Sequence, residues 1–382
     1  MAVVSAHEKP LWMRHGVISP DGTEIAFTYK GDIYTVPVAG GRAKQITSNP
    51  AFDGTPIWNA DGSEIAFSSD REGSMDVYVV SREGGIPRRL TTHSGQEYPL
   101  LFTMDGNLLF SADIMPSAET VIFPSGTFRQ VYQVSIKGGR PTLYSSLPME
   151  KLSVNNEGTI LYQDKKGHEN EWRKHQKSPV ARDIWTYNPT HTKAYTQQTH
   201  FVGEDRDPVW ASDNRSFYYL SEENGSFNIY HREIGSSSAR QITHYTHSPV
   251  RFLSASVDDT LCFGYDGEIY TLSPGGQPRK VEIEIVSDNE ERSLIQSIKQ
   301  SEASEMAVSP DGKEVAFIVR GDLYVTSVEY NTTKRITNTS YEERYVSFSP
   351  DGRSLLYASE RDGLWQIYTS HIVRPEEKLF TY

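Results

Sequence analysis

The feature that most constrains this chain is a ten-residue phrase that keeps returning. Ile18-Ser19-Pro20-Asp21-Gly22-Thr23-Glu24-Ile25-Ala26-Phe27 comes back as Trp58-Asn59-Ala60-Asp61-Gly62-Ser63-Glu64-Ile65-Ala66-Phe67. It returns twice more, as Val308-Ser309-Pro310-Asp311-Gly312-Lys313-Glu314-Val315-Ala316-Phe317 and as Phe348-Ser349-Pro350-Asp351-Gly352-Arg353-Ser354-Leu355-Leu356-Tyr357. Weaker copies centre on Asp105-Gly106, Glu157-Gly158, Asp213-Asn214 and Asp258-Asp259. Successive copies lie about 40 to about 56 residues apart, which overlaps and exceeds the length of a four-stranded propeller blade.

Each unit divides into four strands. A short apolar run such as Pro56-Ile57-Trp58 ends at the Asp-Gly turn, and Glu64-Ile65-Ala66-Phe67-Ser68 returns from it. Glycine takes positive φ without steric cost, so Asp-Gly between two such runs marks a hairpin. The third strand reads polar–aliphatic–aromatic in every unit: Asp32-Ile33-Tyr34, Asp76-Val77-Tyr78, Gln130-Val131-Tyr132, Asp183-Ile184-Trp185, Asn228-Ile229-Tyr230, Glu268-Ile269-Tyr270, Asp322-Leu323-Tyr324 and Gln366-Ile367-Tyr368. Gly-Gly pairs lead into a fourth strand typified by Gln45-Ile46-Thr47, Gln241-Ile242-Thr243 and Arg335-Ile336-Thr337. A lone four-stranded sheet cannot cover both faces, and sheets packed radially can. The expected fold is all-β, a β-propeller of six four-stranded blades followed by two further blades of an incomplete second propeller. Its 22 tyrosines and 15 phenylalanines suit strands, and its 28 glycines and 20 prolines supply the turns. Ser293 to Ile298 is the one stretch ambiguous between helix and strand, and strand is favoured.

Most joints between units are short, but Glu282 to Glu305 is long and charged and lacks an Asp-Gly signal. This places a six-bladed propeller over residues 10–285, a linker strand region over 286–305 and two blades over 306–382, with a single ring of eight as the alternative. Every unit of the first ring owns all four of its strands, so the ring is expected to close by side-chain packing alone. The end of the chain, Leu379 to Tyr382, reads as the fourth strand of the eighth unit, and the chain as a truncated product.

The net charge of −12 argues against nucleic acid, whose phosphates would be repelled. No apolar run is long enough to span a bilayer. A single cysteine, Cys262, excludes a disulfide framework and sits in a strand as a small core residue. Val4-Ser5-Ala6 resembles the end of a signal peptide, so a periplasmic location is slightly favoured over a cytoplasmic one.

Taken along nearly the whole chain, the pattern resembles the N-terminal half of tricorn-type serine peptidases. The residues that carry the resemblance are Tyr29-Lys30-Gly31-Asp32-Ile33-Tyr34-Thr35-Val36-Pro37, the insert Glu171-Trp172-Arg173-Lys174-His175 leading to Arg182-Asp183-Ile184-Trp185, and the order of six units, charged joint and new series. The repeat is also similar to Tol-system periplasmic propellers and to those of prolyl-oligopeptidase-type enzymes. The tricorn resemblance implies a non-catalytic region that filters and guides oligopeptides towards catalytic domains beyond this sequence. It further implies an arginine pair after a Ser-Gly before the third unit, anchoring the peptide carboxylate. Here that joint reads Ser94-Gly95-Gln96-Glu97-Tyr98, so the resemblance does not carry the anchoring role to this position. A Tol-like propeller that recruits a protein partner in the cell envelope is the alternative function, and a structural scaffold a third.

The residues agree with a segment lacking catalysis. There is no Gly-x-Ser-x-Gly elbow, no zinc-type His pair and no Gly-rich phosphate cradle. No cofactor and no metal is expected; the Asp-Gly pairs lack the spacing of a calcium loop, and His244 with His247 lacks further ligands. Ser69 to Gly73 and Ser359 to Gly363 read as charged exposed tips, with a gate lining as the alternative. Two long inserts stand out, because function in repeat folds sits on loops. Ala112 to Arg129 is apolar, fit to pack on another domain or over a channel mouth. Lys165 to Arg182 is basic on an acidic protein, and Arg173, Lys174, His175 and Arg182 are the candidate anchors for a peptide carboxylate. The expected partners are oligopeptides or a protein, with oligomerisation possible.

Overall fold

The computed structural model describes residues 10–93, 95–113, 128–168, 177–286, 303–330 and 332–381. Val4-Ser5-Ala6, most of both long inserts (with Arg173, Lys174 and His175) and Ser293 to Ile298 lie outside the described residues. The chain forms two compact units, Met1–Asp288 and Asn289–Tyr382. Among the described residues there is no helix; every regular element is a strand.

In the first unit, six four-stranded antiparallel sheets follow one another, each built from one repeat in the order of the chain. The first sheet uses Arg14–Ile18, Glu24–Tyr29, Asp32–Pro37 and Lys44–Gln45. The repeat phrase explains the first turn: Ser19 Oγ donates to Asp21 Oδ1 (2.5 Å) and accepts from the Glu24 amide (3.0 Å), and Gly22 takes φ 69°. A threonine two residues beyond the fourth strand ties the sheet further. Thr47, Thr91, Thr199 and Thr243 each accept, at 2.9 Å, the amide of the aliphatic residue near the start of the third strand. Such a buried amide would otherwise be orphaned, at a cost of about 1–3 kcal/mol.

The sheets pack side by side around an axis. Their first strands touch in sequence: Arg14–Ile18, Asp53–Trp58, Glu97–Phe102, Met149–Val154, Asp205–Trp210 and Arg251–Ala255, the last returning to the first. The third-strand aliphatics Ile33, Val77, Val131, Ile184 and Ile229 and the second-strand Phe27, Phe67, Phe110, Phe217 and Phe263 are fully buried between sheets. Polar ties cross the same interfaces, with Trp58 Nε1 donating to Val17 O (3.0 Å) and Trp210 Nε1 to Thr159 O (3.1 Å).

The seam between the sixth and first sheets corrects the expectation of closure by packing alone. Ile283–Glu284 runs parallel to Gly41–Arg42 and pairs with it. Gly41 N donates to Glu282 O and Ala43 N to Glu284 O, both at 2.8 Å. Gly40 makes this approach possible, since at φ 90° a Cβ there would lie 2.7 Å from Glu282 O. Beneath the pairing, Met13, Val36 and Ala43 meet Cys262, Ile269 and Val281 in one core. Cys262 is fully buried, and burial pushes its thiol up to about 12.

The second unit holds a four-stranded sheet (Ala303–Val308, Glu314–Val319, Asp322–Ser327, Thr333–Arg335) and a three-stranded one (Glu343–Phe348, Ser354–Ser359, Gln366–His371). Its first strand starts inside the stretch read as linker. The segment after Lys378 does not form the fourth strand the sequence led us to expect. Phe380 instead enters the core between the two sheets, and the Glu314 carboxylate accepts the amides of Phe380 (3.1 Å) and Thr381 (2.8 Å).

Candidate functional site

Strands that alternate up and down place every hairpin between second and third strands, and every joint between repeats, at one end of the first unit. Both long inserts leave from that end, on the neighbouring third and fourth sheets. The described residues show how they are rooted. Asp113 and Arg129 pair at 3.1 Å across the base of the first insert, and the Arg129 guanidinium lies over the Tyr98 ring at 4.7 Å. The base of the second is held by Lys166, whose Nζ donates to Ala181 O (2.8 Å) and to Asp183 Oδ2 (2.5 Å).

Beside that base lies a buried charge network. Arg182 donates from Nε to Glu150 Oε2 (3.0 Å) and from Nη1 to Glu204 Oε1 (2.9 Å). Lys165 reaches Glu150 Oε1 at 2.8 Å, and Arg206 reaches Glu204 Oε1 at 2.7 Å. Burial would raise the Glu150 carboxyl, but Arg182 and Lys165 beside it override that and hold it at about 2. Arg182 is itself 3% exposed. Of the four candidate anchors it is the one inside the described residues, and there it ties the insert's base to the fourth and fifth sheets.

The charged hairpin tips are exposed as read at Asp70, Glu72, Gly73, Asp362 and Gly363, but their arginines turn inward. Arg71 folds inward, with Nη2 2.9 Å from Oδ1 of the fully buried Asp53 and its guanidinium 4.6 Å from the Tyr78 ring centre. Arg361 repeats this in the second unit, on Glu343 at 3.3 Å and over Tyr368 at 4.2 Å. Both are structural ties.

Sequence reasoning missed a ring of residues on the first strands. Each of these strands slips register by one residue against the second strand, and in five sheets the residue at the slip has positive φ: His15 (53°), Thr55 (51°), Lys151 (52°), Asp207 (50°) and Phe252 (57°). A β-branched or bulky residue rarely sits there, and each such residue stores about 1–3 kcal/mol. The third sheet carries Pro99 at this place, which cannot adopt positive φ, and its slip falls between Pro99 and Leu101. A bulge breaks the alternation of a strand's two faces, and these five residues lie on the first strands, which line up around the axis. The His15 and Phe252 rings meet at 4.7 Å, and the Phe252 amide donates to Asp207 Oδ2 at 3.1 Å. Burial, then the charges of Lys151 and Arg14, push the His15 imidazole down to about 3. His15 and Lys151 belong to opposite sheets of the ring, so the Lys151 charge acts across the axis. The only sequence signal was a residue before the apolar core of each first strand that fits neither strand face.

Among the described residues no group of three or more His, Cys, Asp and Glu is placed to hold a metal ion. The arrangement at this end of the first unit is the base of two inserts, each tied by an ion pair, beside first strands that carry an aromatic contact.

A sequence family described as the tricorn protease N-terminal beta propeller domain matches residues 10–278. The chain belongs to this family. Tricorn protease homolog 1 of Streptomyces coelicolor is 25% identical over 276 residues, covering 70% of this chain and 24% of that protein. The tricorn protease of Thermoplasma volcanium is 20% identical over 358 residues, covering 90% and 33%. The crystal structure of the tricorn protease superposes with a TM-score of 0.62 at 19% identity, over 97% of this chain and 36% of that one. At that identity the superposition shows shared fold. The chain thus spans between a quarter and about a third of its tricorn relatives' length.

Proposed function

We propose that this chain is the substrate-handling propeller region of a tricorn-like serine peptidase, guiding oligopeptides at the insert-bearing mouth without catalytic groups of its own. The observation that carries the reading is the family match over the first unit, joined to two inserts rooted at one mouth beside an axis ringed by re-aimed side chains. In this reading Arg173, Lys174 and His175 contact the peptide carboxylate by charge-assisted hydrogen bonds, while Arg182 positions their loop from below. The catalytic domains and the peptide supply are then the partners of this region.

The test is oligopeptide binding followed by fluorescence anisotropy, with free and amidated peptide C-termini. The triple variant Arg173→Ala, Lys174→Ala, His175→Ala is expected to weaken binding of the free-acid peptide by roughly tenfold, as loss of one charged hydrogen bond would. The amidated peptide should be affected little. Absence of binding by the parent chain, or equal binding of both peptides by parent and variant, would remove the proposal.

A further inference from the structure

The fifth sheet carries a row of side chains unlike that of the first two. Tyr218, His231 and Arg240 lie directly opposite one another across its second, third and fourth strands. The same register positions hold Ala26, Thr35 and Lys44 in the first sheet and Ala66, Val79 and Arg88 in the second. Directly opposed residues share a face, so a compact row there has become an aromatic and polar one here. The His231 ring lies 4.8 Å from that of Tyr218, and its Nε2 donates to Ser216 Oγ (2.8 Å), whose hydroxyl donates in turn to Asp213 Oδ2 (2.8 Å).

The cation at the end of the row also has a different setting. Lys44 reaches Glu83 (2.6 Å), on the hairpin between third and fourth strands of the next sheet, and Arg88 donates to Ile136 O on the hairpin after that. The corresponding hairpin of the sixth sheet, Ser273-Pro274-Gly275-Gly276, has Pro274 where Glu83 precedes Gly84-Gly85. The Arg240 guanidinium makes no ion pair among the described residues. Between the two sheets lies a cavity of about 200 Å³, at the end of the first unit away from the inserts. Tyr218 and Arg240 line it from the fifth sheet, and Asp259, Leu272, Pro274 and Gly275 from the sixth.

Two opposite charges thus face one cavity, and no ion pair joins them. Asp259 accepts the Ser212 amide on one oxygen (2.8 Å) and the Ser212 hydroxyl on the other (2.6 Å). Each carboxylate oxygen keeps a further lone pair. A bare anion on Arg240 would be repelled by Asp259, and a bare cation on Asp259 by Arg240. A molecule carrying both charges avoids both. The volume is below the about 300–1,000 Å³ of a drug-sized pocket, which restricts the occupant to the size of one or two amino acids. Tyr218 and Leu272 offer its carbon skeleton apolar contact.

We propose that this cavity binds a small zwitterion, a free amino acid or dipeptide with an apolar side chain, its carboxylate on Arg240 and its ammonium on Asp259. Both contacts are charge-assisted hydrogen bonds. The site lies apart from the insert-bearing mouth and is independent of peptide binding there.

The experiment is isothermal titration calorimetry on the full chain with leucine and leucyl-leucine, beside N-acetyl-leucine and leucinamide, which each keep one of the two charges. At least one zwitterion should bind, and each singly charged analogue should bind it roughly tenfold more weakly, as loss of one charged hydrogen bond implies. Arg240→Gln should weaken the zwitterion by a similar factor. Pro274→Glu, which supplies the acid present at Glu83, should pair with Arg240 and abolish binding. Arg240 and Pro274 are both exposed, so both variants should keep the parent's unfolding midpoint; if one does not, the other decides. No binding of either zwitterion, a singly charged analogue that binds as well as the zwitterion, or a folded variant that binds like the parent would overturn the proposal.

Discussion

Ile229 and Ile367 occupy the same place in the same repeat, yet one is fully buried and the other is 74% exposed. The strand and its pairing register with the second strand are alike in both, although Asn228–Glu233 also pairs a fourth strand and Gln366–His371 does not. What differs is whether another sheet lies against the face. In the first unit every sheet has one on each side; in the second, the two described sheets pack on each other. The repeat thus specifies a sheet, and the arrangement of sheets specifies a core.

The comparison is sharpened most by truncating these two residues. Ile229→Ala should destabilise the first unit by about 2–5 kcal/mol, while Ile367→Ala should stay within about 0.5 kcal/mol, read from urea unfolding at a concentration where the chain is monomeric. Equal effects would break the distinction between the units. Next comes the charge network of the fourth and fifth sheets. Arg182→Met leaves Glu150 and Glu204 buried with fewer partners and should cost about 3–5 kcal/mol, whereas Arg361→Met, on a more exposed ion pair, should cost about 1 kcal/mol or less.

A smaller effect is expected at the seam. Gly40→Ala strains a positive φ and pushes on Glu282 O, and should cost about 1–3 kcal/mol with faster amide exchange at Gly41 and Ala43. Gly352→Ala, at a turn with φ 73° and no backbone atom so close, should cost less.

The smallest effect is a slope with pH. Burial raises the Asp205 carboxyl to about 7 and that of Glu97 to about 7, with Asp76 raising the latter further. Both then bind protons more tightly folded than unfolded, so their contribution is full below the ordinary carboxylate range and is lost as pH rises from about 4 through 7. Asp205→Asn and Glu97→Gln should flatten the decline in unfolding free energy across that window. An unchanged slope would show that these carboxyls titrate normally.

Much of the frame was legible in the sequence, because it is written locally. Ser19-Pro20-Asp21-Gly22 forms its own turn, and Asp322-Leu323-Tyr324 alternates within its own strand. Cys262 was readable as core from its neighbours alone. The seam pairing was not, since Ile283-Glu284 is a short stretch whose partner, Gly41-Arg42, lies far away in sequence. Nor was the inward turn of Arg71, because its carboxylate partner Asp53 belongs to another strand. The residues of the axial ring were hidden for a different reason: a register slip breaks the alternation by which a strand is recognised. The end of the chain misled because Phe380 and Thr381 match the fourth-strand pattern, while the Glu314 carboxylate and the core beside Phe348 hold them elsewhere.

The most direct measurement is native-state amide exchange, followed by mass spectrometry on the dilute, monomeric chain. The account predicts that residues 41–43 and 283–284 at the seam are protected like the third strands of the other first-unit sheets, and that Gln366–His371 exchanges far faster. Rapid exchange at the seam, matching that of Gln366–His371, would show that the first ring is open and that its sheets lack the second neighbour on which this account rests.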